Sequence, residues 1–269
     1  MSDRRIFVTA IAQLAAQQAQ ASVIPWACPV PYFGALDNAT VATVGLNPSN
    51  LEFVDAHGVA LQGVARRFPT LEDLQLENWA QATLHQAQVV ETACATYFNR
   101  NPYNRWFKPL DYLISSLGAS YYFPGQGGCH LDLVPYATSC KWSKLSAQQQ
   151  GALAALSGDI LAYLVQQSTL HTLVLNGRAV VRLFEAMAGV RLDSQPMADW
   201  NLPRRNGMPV PGIAYKGSIT ELAGLPLGRP VRILGYNHNI QSSFGITAAF
   251  LKAVRSWIAH HAPLFSDES

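Results

Sequence analysis

Short apolar runs alternate along the chain with longer stretches of helical periodicity. Runs rich in Val, Leu and Ile occupy 40–46, 129–134, 171–177 and 231–235, and each is short enough to be a buried strand. Buried strands that alternate with helices are typical of a parallel sheet with helices on both faces. The pattern therefore predicts an α/β protein of three-layer αβα architecture, built on a small, mainly four-stranded parallel sheet.

Helices are predicted around these strands at 3–21, 71–96, 107–117, 146–167, 178–188 and 243–261. Thr70 is placed to cap the second helix, with Glu72 and Asp73 in its first turn. Irregular segments are expected to leave the sheet near 47–69, 98–106 and 190–229, the last of them with a basic hairpin. Because no internal repeat and no long linker divides the chain, a single domain over 1–269 is expected.

The composition allows a large core but only a weak overall attraction to polyanions. The 269 residues are 49% hydrophobic and only 13% charged, which argues against a disordered chain. The net charge is +2 and the pI is near 8.4, so any site for a polyanion must be a local patch. No apolar run reaches the roughly 18 residues that a membrane span needs, and glutamines interrupt the N-terminal one. A cytoplasmic protein with no membrane partner is expected.

The spacing of the cysteines gives no sign of a cofactor. Cys28, Cys94, Cys129 and Cys140 form no C-x-x-C pair, and their separations suggest neither a zinc site nor an iron–sulfur cluster. They are interpreted as reduced, partly buried thiols. No metal and no cofactor are therefore expected.

Polar residues follow each predicted strand at the point where it ends. Among them are Asn47 after the first strand, Asn176 after the third and His238 after the fourth, while Asp132 lies within the second. In open parallel sheets ligands bind outside the carboxyl ends of the strands, so a pocket is predicted there. No glycine-rich phosphate loop follows a strand, and there is no G-x-S-x-G or H-E-x-x-H motif. These residues alone therefore predict a pocket and leave the reaction open.

Four segments together resemble the uracil-DNA glycosylase superfamily. The stretch "VATVGLNPS", 41–49, resembles its first active-site motif, in the G-[IL]-N-P form of the mismatch-specific branch. Further along, "NRWFKPLDYL" (104–113) is similar to the N-R-F-W-K segment of that branch, and "LVLNGRAVVRLF" (173–184) to its third strand and following helix. "GYNHNIQSS", 235–243, occupies the place of its last motif. The match covers about 40–260 in the right order through short motifs, and the superfamily's four-stranded parallel sheet agrees with the predicted strands.

The resemblance implies a reaction and a partner. Members of the superfamily hydrolyse the bond between base and deoxyribose after the nucleotide has been flipped out of the helix, which leaves an abasic site. The transition state is cation-like at the sugar, so the enzyme must place water, hold the phosphates and stabilise the departing base. DNA is therefore the expected partner, and a monomer with no obligate protein partner is expected because one face must be free for DNA.

Three catalytic candidates follow from the resemblance, each with a structural alternative. Asn47 would position the attacking water with its side-chain carbonyl, while Pro48 fixes the backbone; alternatively, the pair forms a turn with an Asx hydrogen bond. Glu52 would be a stronger water activator if it reached the pocket, although a surface carboxylate is the competing interpretation. His238 would donate to a base oxygen, or it is a structural histidine. The superfamily's H-P-S-P pattern is replaced here by "NHNIQSS", which leaves the DNA wedge undefined.

Further candidates would contact the base or the phosphates. Phe53 and Trp106 could stack on a flipped base or simply belong to the core. The base-binding set predicted in full is Leu46, Pro48, Phe53, Trp106, Asp132, Asn176 and Asn237. The phosphate contacts predicted are Ser49, Lys141, Arg178, Ser242 and Ser243, with Lys144 as a further cation. Arg204 and Arg205 either follow the DNA backbone or belong to a solvated loop.

Asp132 gives the prediction about the base. Uracil-specific members of the superfamily read the base edge with an Asn near this place, whereas an ionised carboxylate only accepts hydrogen bonds. A carboxylate would repel the position-4 oxygen of uracil or thymine and accept from the amino group of cytosine. Since removal of ordinary cytosine would destroy the host genome, the hypothesis is a modified cytosine of phage DNA, such as a hydroxymethylated or glucosylated one, and a role in anti-phage defence.

Alternatives remain open at this point. If Asp132 caps a loop or pairs with Lys141 or Arg178, a repair enzyme for uracil, thymine mismatches or damaged bases is expected instead. A non-catalytic nucleic-acid-binding module would keep the basic loops without needing Asn47. A small-molecule enzyme such as a nucleoside hydrolase would need no duplex.

Overall fold

Seven strands form one mixed sheet in the computed structural model, which describes residues 5–17, 22–204 and 207–262. The strands are β1 (Tyr32–Phe33), β2 (Val41–Gly45), β3 (Gly128–Asp132), β4 (Thr172–Asn176), β5 (Asp193–Leu202), β6 (Val210–Leu222) and β7 (Leu225–Tyr236). Their order in the sheet is β1-β3-β2-β4-β7-β6-β5. The neighbours β3, β2, β4 and β7 run parallel, whereas β1, β6 and β5 pair antiparallel with the strands beside them.

The prediction of a small, mainly four-stranded parallel sheet is therefore not confirmed, because the sheet is mixed and has seven strands. The segment 190–229, predicted as an irregular excursion, contains β5, β6 and the first part of β7. Most of the residues of β5 are exposed on both sides, so the strand has no apolar alternation that a sequence pattern could reveal. Gly212 of β6 permits this pairing, because a Cβ there would lie 2.2 Å from the Cβ of Trp200.

Seven α-helices accompany the sheet within the described ranges. They are α1 (Arg5–Gln17), α2 (Leu84–Ala95), α3 (Asn104–Ile114), α4 (Ala147–Ala155), α5 (Gly158–Gln167), α6 (Arg178–Ala188) and α7 (Ala248–His261). The sixth coincides with its predicted bounds of 178–188. The helix predicted at 3–21 is seen over α1, and its remaining residues lie outside the described part of the chain.

Four helix predictions need correction. The helix predicted at 107–117 begins three residues earlier, at Asn104, and ends at Ile114 before a short 3₁₀ turn. The helix predicted at 71–96 begins only at Leu84, because Thr83 and Gln86 form the capping box, whereas Thr70 binds Asp73 in an earlier turn. The helix predicted at 146–167 is divided near Ser157, whose hydroxyl donates to the carbonyl of Leu153. The last helix starts five residues later than predicted, after the cap at Thr247.

The helices cover both faces of the sheet. On one face, Phe107 of α3 contacts His130 of β3, with ring centroids 5.3 Å apart. On the other, a Cβ on Gly235 of β7 would lie 3.3 Å from Val181 of α6. The α/β layering that the sequence predicts is confirmed at this level, and the face that carries α3 also carries the polar residues described next.

Candidate active site

A row of residues lies on the α3 face at the carboxyl ends of the parallel strands. In the registers of the sheet, Gly45 lies opposite Asp132, and Asn176 lies opposite Tyr236. Because residues two apart on a strand share a face and Thr43 pairs with Val174, all four of these residues point to the same side. Asp132 and Asn176 therefore flank a glycine, at the rim where a ligand is predicted.

A buried chain of hydrogen bonds leads to Asp132 from inside the sheet. Its Oδ1 lies 3.4 Å from Nε2 of His130. Nδ1 of the same ring lies 2.6 Å from Oγ1 of Thr43, which in turn lies 2.5 Å from the hydroxyl of Tyr121. We call these four residues the Asp132 relay. Each is at least nine-tenths buried, so the hydrogen bonds act in a region of low dielectric.

Burial changes the proton affinity of the groups at both ends of this relay. Loss of hydration raises the pKa of Asp132, and the contact with His130 opposes that rise. Loss of hydration also raises the pKa of Tyr121 well above its usual range. Asp132 is therefore easier to protonate than a carboxyl group in water.

Glu52 is a second buried carboxyl group in the same region. It ends a short 3₁₀ turn, Asn50–Glu52, and only 2% of its surface is exposed. The hydroxyl of Tyr97 donates to its Oε2 at 2.7 Å, and Nε of Arg67 lies 3.8 Å from that oxygen. Burial raises the pKa of Glu52 to about 7; the contacts with Tyr97 and Arg67 oppose this, and the charge of Asp132 adds to it. The interpretation of Glu52 as a surface carboxylate is therefore wrong.

Asn47 is held by its amide nitrogen. Nδ2 donates to the carbonyls of Tyr136 (3.1 Å) and Pro48 (3.3 Å) and to the hydroxyl of Thr138 (3.1 Å). No group among the described residues donates to its Oδ1. The nitrogen thus stabilises the loop, as the turn interpretation requires, while the oxygen is oriented and available, as the glycosylase interpretation requires.

A chain of amides closes over the end of β4. Nδ2 of Asn176 donates to Gln241 at 2.7 Å, and Nε2 of Gln241 donates to the carbonyl of Trp106 at 3.0 Å. The backbone amide of Ile240 reaches Oδ1 of Asn176 at 3.4 Å. Trp106 is half-buried on α3, so part of its indole is exposed beside the rim. Asn176 can donate a hydrogen bond from Nδ2 to a base only if it first gives up its hydrogen bond to Gln241.

Four of the predicted site residues have other roles. His238 is 5% exposed, and its ring packs 5.7 Å from that of Phe250, on the side of α7 and β5. Burial lowers its pKa, and the backbone of Trp200 partly opposes this. The side chain of Asn237 pairs with the backbone of β6, accepting from Ile213 and donating to Pro211. The loop after β7 is therefore tied to the antiparallel strand β6 instead of turning towards Asn47.

The other two are Phe53 and Leu46, which pack within or against the core. Phe53 is 3% exposed and packs against Trp26 and Phe68, so it has no free ring face for a base. Leu46 is partly buried against the core. It follows Gly45 directly, so strand alternation directs its side chain away from the relay. Pro48, whose carbonyl accepts from Asn47, is buried as well.

The predicted phosphate contacts lie around the rim. Oγ of Ser49 accepts from the amide of Leu51 at 3.2 Å and so caps a turn. Ser242 donates from its hydroxyl to Oδ1 of Asn239, and Ser243 bonds to the backbone of Asn239. Lys141, Lys144, Arg178 and Arg204 are exposed, and Arg205 lies outside the described residues. Because Asp132 is buried and bonded to His130, the alternative that it pairs with Lys141 or Arg178 is wrong.

Sequence reasoning missed the residues that support the site. His130 and Thr43 of the relay lie two positions before Asp132 and Gly45, so strand alternation could have found them. Tyr97, Tyr121 and Gln241 approach from distant segments and had no local signal. Phe244, in the loop after β7, is 62% exposed, which is unusual for a ring beside a site.

The two prominent cavities of the described chain lie elsewhere. One of about 570 Å³ is lined by residues that include Arg66, Arg67, Phe68 and Arg100, and it adjoins the site through Arg67, the neighbour of Glu52. The other, of about 640 Å³, lies beside α6. Since Asp132 is 4% exposed, a base can reach it only after the covering side chains move.

The remaining expectations concern metals, thiols and membranes. The described residues contain no group of three His, Cys, Asp or Glu side chains that could hold a metal. Cys28, Cys94 and Cys129 are buried free thiols whose pKa burial raises, and Cys140 is partly buried. Within the described ranges, every helix is too short or too polar to cross a bilayer.

Comparison with protein-family models gives no match, and comparison with curated proteins gives no significant match. The resemblance to uracil-DNA glycosylases therefore depends on the short motifs alone.

Proposed function

We propose that this protein is a monofunctional DNA glycosylase that hydrolyses the N-glycosidic bond of a flipped-out, modified cytosine and leaves an abasic site. A modified base of phage DNA would make it a cytoplasmic anti-phage defence enzyme, acting without a cofactor. The observation that carries the proposal is the burial of two carboxyl groups, Glu52 and Asp132, in one electrostatically coupled region at the strand ends. Buried carboxyl groups are costly, and groups with perturbed pKa values cluster where catalysis needs them.

Glu52 and Asn47 would together activate the water. Glu52 has a pKa near 7, so its ionised form is well populated at neutral pH and is still basic enough to take a proton. The oxygen of Asn47 would hold the water for attack on C1′ of the sugar, because its nitrogen is committed to the loop. Tyr97 and Arg67 fix the position of the carboxylate.

Asp132 would choose the base. In either protonation state a carboxyl group keeps an oxygen that accepts a hydrogen bond, and cytosine presents an amino group at position 4. Substituents at C5 lie on the same edge of the ring and would extend past Asp132. Ordinary cytosine would have to be excluded by the fit of the covering side chains.

The rim offers contacts for a DNA strand. Lys141, Lys144 and Arg178 are exposed there, and Ser242 and Ser243 lie in the loop after β7. Trp106 could stack on the extruded base. Phe244 would fill the gap left in the duplex, since apolar side chains commonly wedge between base steps.

The test is base release from defined oligonucleotides. Duplexes carry a single cytosine, hydroxymethylcytosine, glucosylated hydroxymethylcytosine or uracil, and are treated with alkali after incubation. Strand cleavage only after alkali indicates an abasic product. Glu52→Gln should lose this activity while Glu72→Gln, the same exchange at an exposed position, should keep it. Equal activity of the Glu52 and Glu72 variants would exclude the mechanism.

A second candidate is a repair glycosylase for uracil or mismatched thymine. It is favoured by the raised pKa of Asp132, because a protonated carboxyl group can donate to the position-4 oxygen. Uracil release without release of any cytosine would support it.

A further inference from the structure

The donors and acceptors along the Asp132 relay can be assigned in one direction. When the neutral ring of His130 donates from Nε2 to Oδ1 of Asp132, its Nδ1 accepts from the hydroxyl of Thr43. That hydroxyl oxygen then accepts from Tyr121, and every donor points towards the carboxyl group. One lone pair of Oδ1 is thereby occupied. Any proton that Asp132 carries is directed to Oδ2.

Resting on the proposed glycosylase function, we propose that Asp132 is the general acid of the reaction: its Oδ2 delivers a proton to ring nitrogen N3 of the departing cytosine, and the relay residues hold it in that role. Cytosine is complementary to such a group, because N3 accepts a hydrogen bond and the neighbouring amino group donates one. Uracil carries a proton on N3 and cannot be paired in this way. His130, Thr43 and Tyr121 are positioning residues, since they act on the base only through Asp132.

The proton balance of the step is complete. The bond between C1′ and N1 breaks, its electron pair moves into the base, and the proton from Asp132 makes the departing cytosine neutral. Water adds its oxygen to C1′ and gives its proton to Glu52. Asp132 ends ionised and Glu52 ends protonated, and exchange of one proton with solvent restores the starting state.

The two carboxyl groups are arranged for this division of labour. Oδ1 of Asp132 lies 3.4 Å from Nε2 of His130, and burial favours the protonated form of Asp132 while His130 opposes this. Glu52 lies near Arg67 and accepts from Tyr97, which both favour its ionised form, whereas burial is the larger effect and raises its pKa to about 7. When two nearby carboxyl groups have different surroundings, their pKa values differ, and one can act as the acid while the other acts as the base. Gly45 makes room for the acid, because a Cβ there would lie 2.4 Å from its Oδ1.

Leaving-group dependence tests the assignment. Single-turnover release is measured for 5-fluorocytosine, whose base departs easily, and for 5-hydroxymethylcytosine, a poorer leaving group, in the wild type, Asp132→Asn and Glu52→Gln. Loss of the general acid should slow the poorer leaving group by about 100-fold or more and the better one much less. The ratio of the two rates should therefore rise at least about tenfold in Asp132→Asn. Glu52→Gln should slow both bases equally and leave the ratio unchanged.

Thr43→Val and His130→Gln test the relay with milder changes. Each should raise the same ratio by a smaller factor while thermal unfolding and binding to abasic-site DNA stay close to wild type. An unchanged ratio in Asp132→Asn, with both bases slowed alike, overturns the general-acid role and leaves the glycosylase function standing. Absence of base release from either substrate by the wild type would instead overturn the proposed function, and this inference with it.

Discussion

The carboxyl group of Asp132 lies over Gly45 of the neighbouring strand, in the space that a side chain at Gly45 would fill. A parallel sheet normally has a side chain at every position, so this vacancy is what lets a carboxyl group fold inwards at the rim. The G-L-N-P segment is thus linked to the acidic residue on β3 by packing, and its glycine has a function in the site.

Gly45→Ala should displace Asp132 and reduce base release strongly. The new methyl group would also crowd Nε2 of His130, at 2.9 Å, and overpacking of this kind costs about 1–3 kcal/mol of unfolding free energy. Gly151→Ala on α4 is the control, since a Cβ there meets nothing within 4 Å and helical alanine is favoured. Denaturant melts and glycosylase rates measure both effects. Full activity in Gly45→Ala would show that Asp132 need not occupy this position.

The ionisation of Glu52 should determine how the rate of base release depends on pH on the acid side of neutrality. As a base Glu52 must be ionised, and its pKa is near 7, so the pseudo-first-order rate should rise as pH increases through about 7 and fall again at the pH where the general acid Asp132 loses its proton. The groups that contact or electrostatically influence Glu52 are Tyr97, Arg67 and Asp132. Arg67→Met removes a nearby cation and should move the rising limb to higher pH. A limb that stays in place would assign the titration to another group.

The same carboxyl group should destabilise the fold at high pH. Its pKa rises from 4.5 to about 7 on folding, so its contribution to stability is full below pH 4.5 and is lost as pH rises through about 7. A shift of that size corresponds to about 3 kcal/mol, shared in part with Asp132. Glu52→Gln should therefore be more stable than wild type at pH 8 and nearly equal at pH 4. A stability difference that does not grow between these pH values would contradict the buried, ionising carboxyl group.

Much of the fold could be predicted because the central strands are buried on both faces and are therefore continuous apolar runs. A hairpin was predicted within 190–229, but its pairing with the sheet was not, since β5 is largely exposed and β6 depends on pairing with β7. The start of α2 was misplaced for a different reason. Thr70 and Thr83 are both good caps, and only the packing around residues 71–83 decides between them.

The site residues that directly follow or end a strand could be predicted from the sequence. The contacts between distant segments of the chain could not. Asn47 and Asp132 follow from the ends of their strands. The burial of Glu52 depends on Tyr97, 45 residues away, and nothing near Glu52 in sequence signals it. His238 was placed in the site because it occupies the position of the superfamily's last motif. That motif gives no sign that the ring is buried against Phe250 and the backbone of Trp200.

Asn47→Ala should abolish most of the activity through loss of the water's acceptor. We expect a fall of about 100- to 1,000-fold in the rate of base release, as for other groups that position a reactant. The loop should also be weakened, because the acceptors on Tyr136 and Thr138 lose their donor. Asn50→Ala, three residues later on the same loop, is the control. If both variants release bases at similar rates, Asn47 serves the turn alone.

Phe244→Ala should weaken productive binding to duplex DNA and leave single-stranded substrate almost unaffected. The ring is 62% exposed in the loop after β7, and a wedge is needed only where a base must be replaced within a stacked duplex. Phe123→Ala is a matched control, because that ring is 64% exposed but precedes β3, at the opposite edge of the sheet. Rates at limiting enzyme on duplex and single-stranded oligonucleotides give the comparison. Equal losses on the two substrates, or equal losses in the two phenylalanine variants, would mean that Phe244 is not the wedge and that the duplex is opened from another part of the rim.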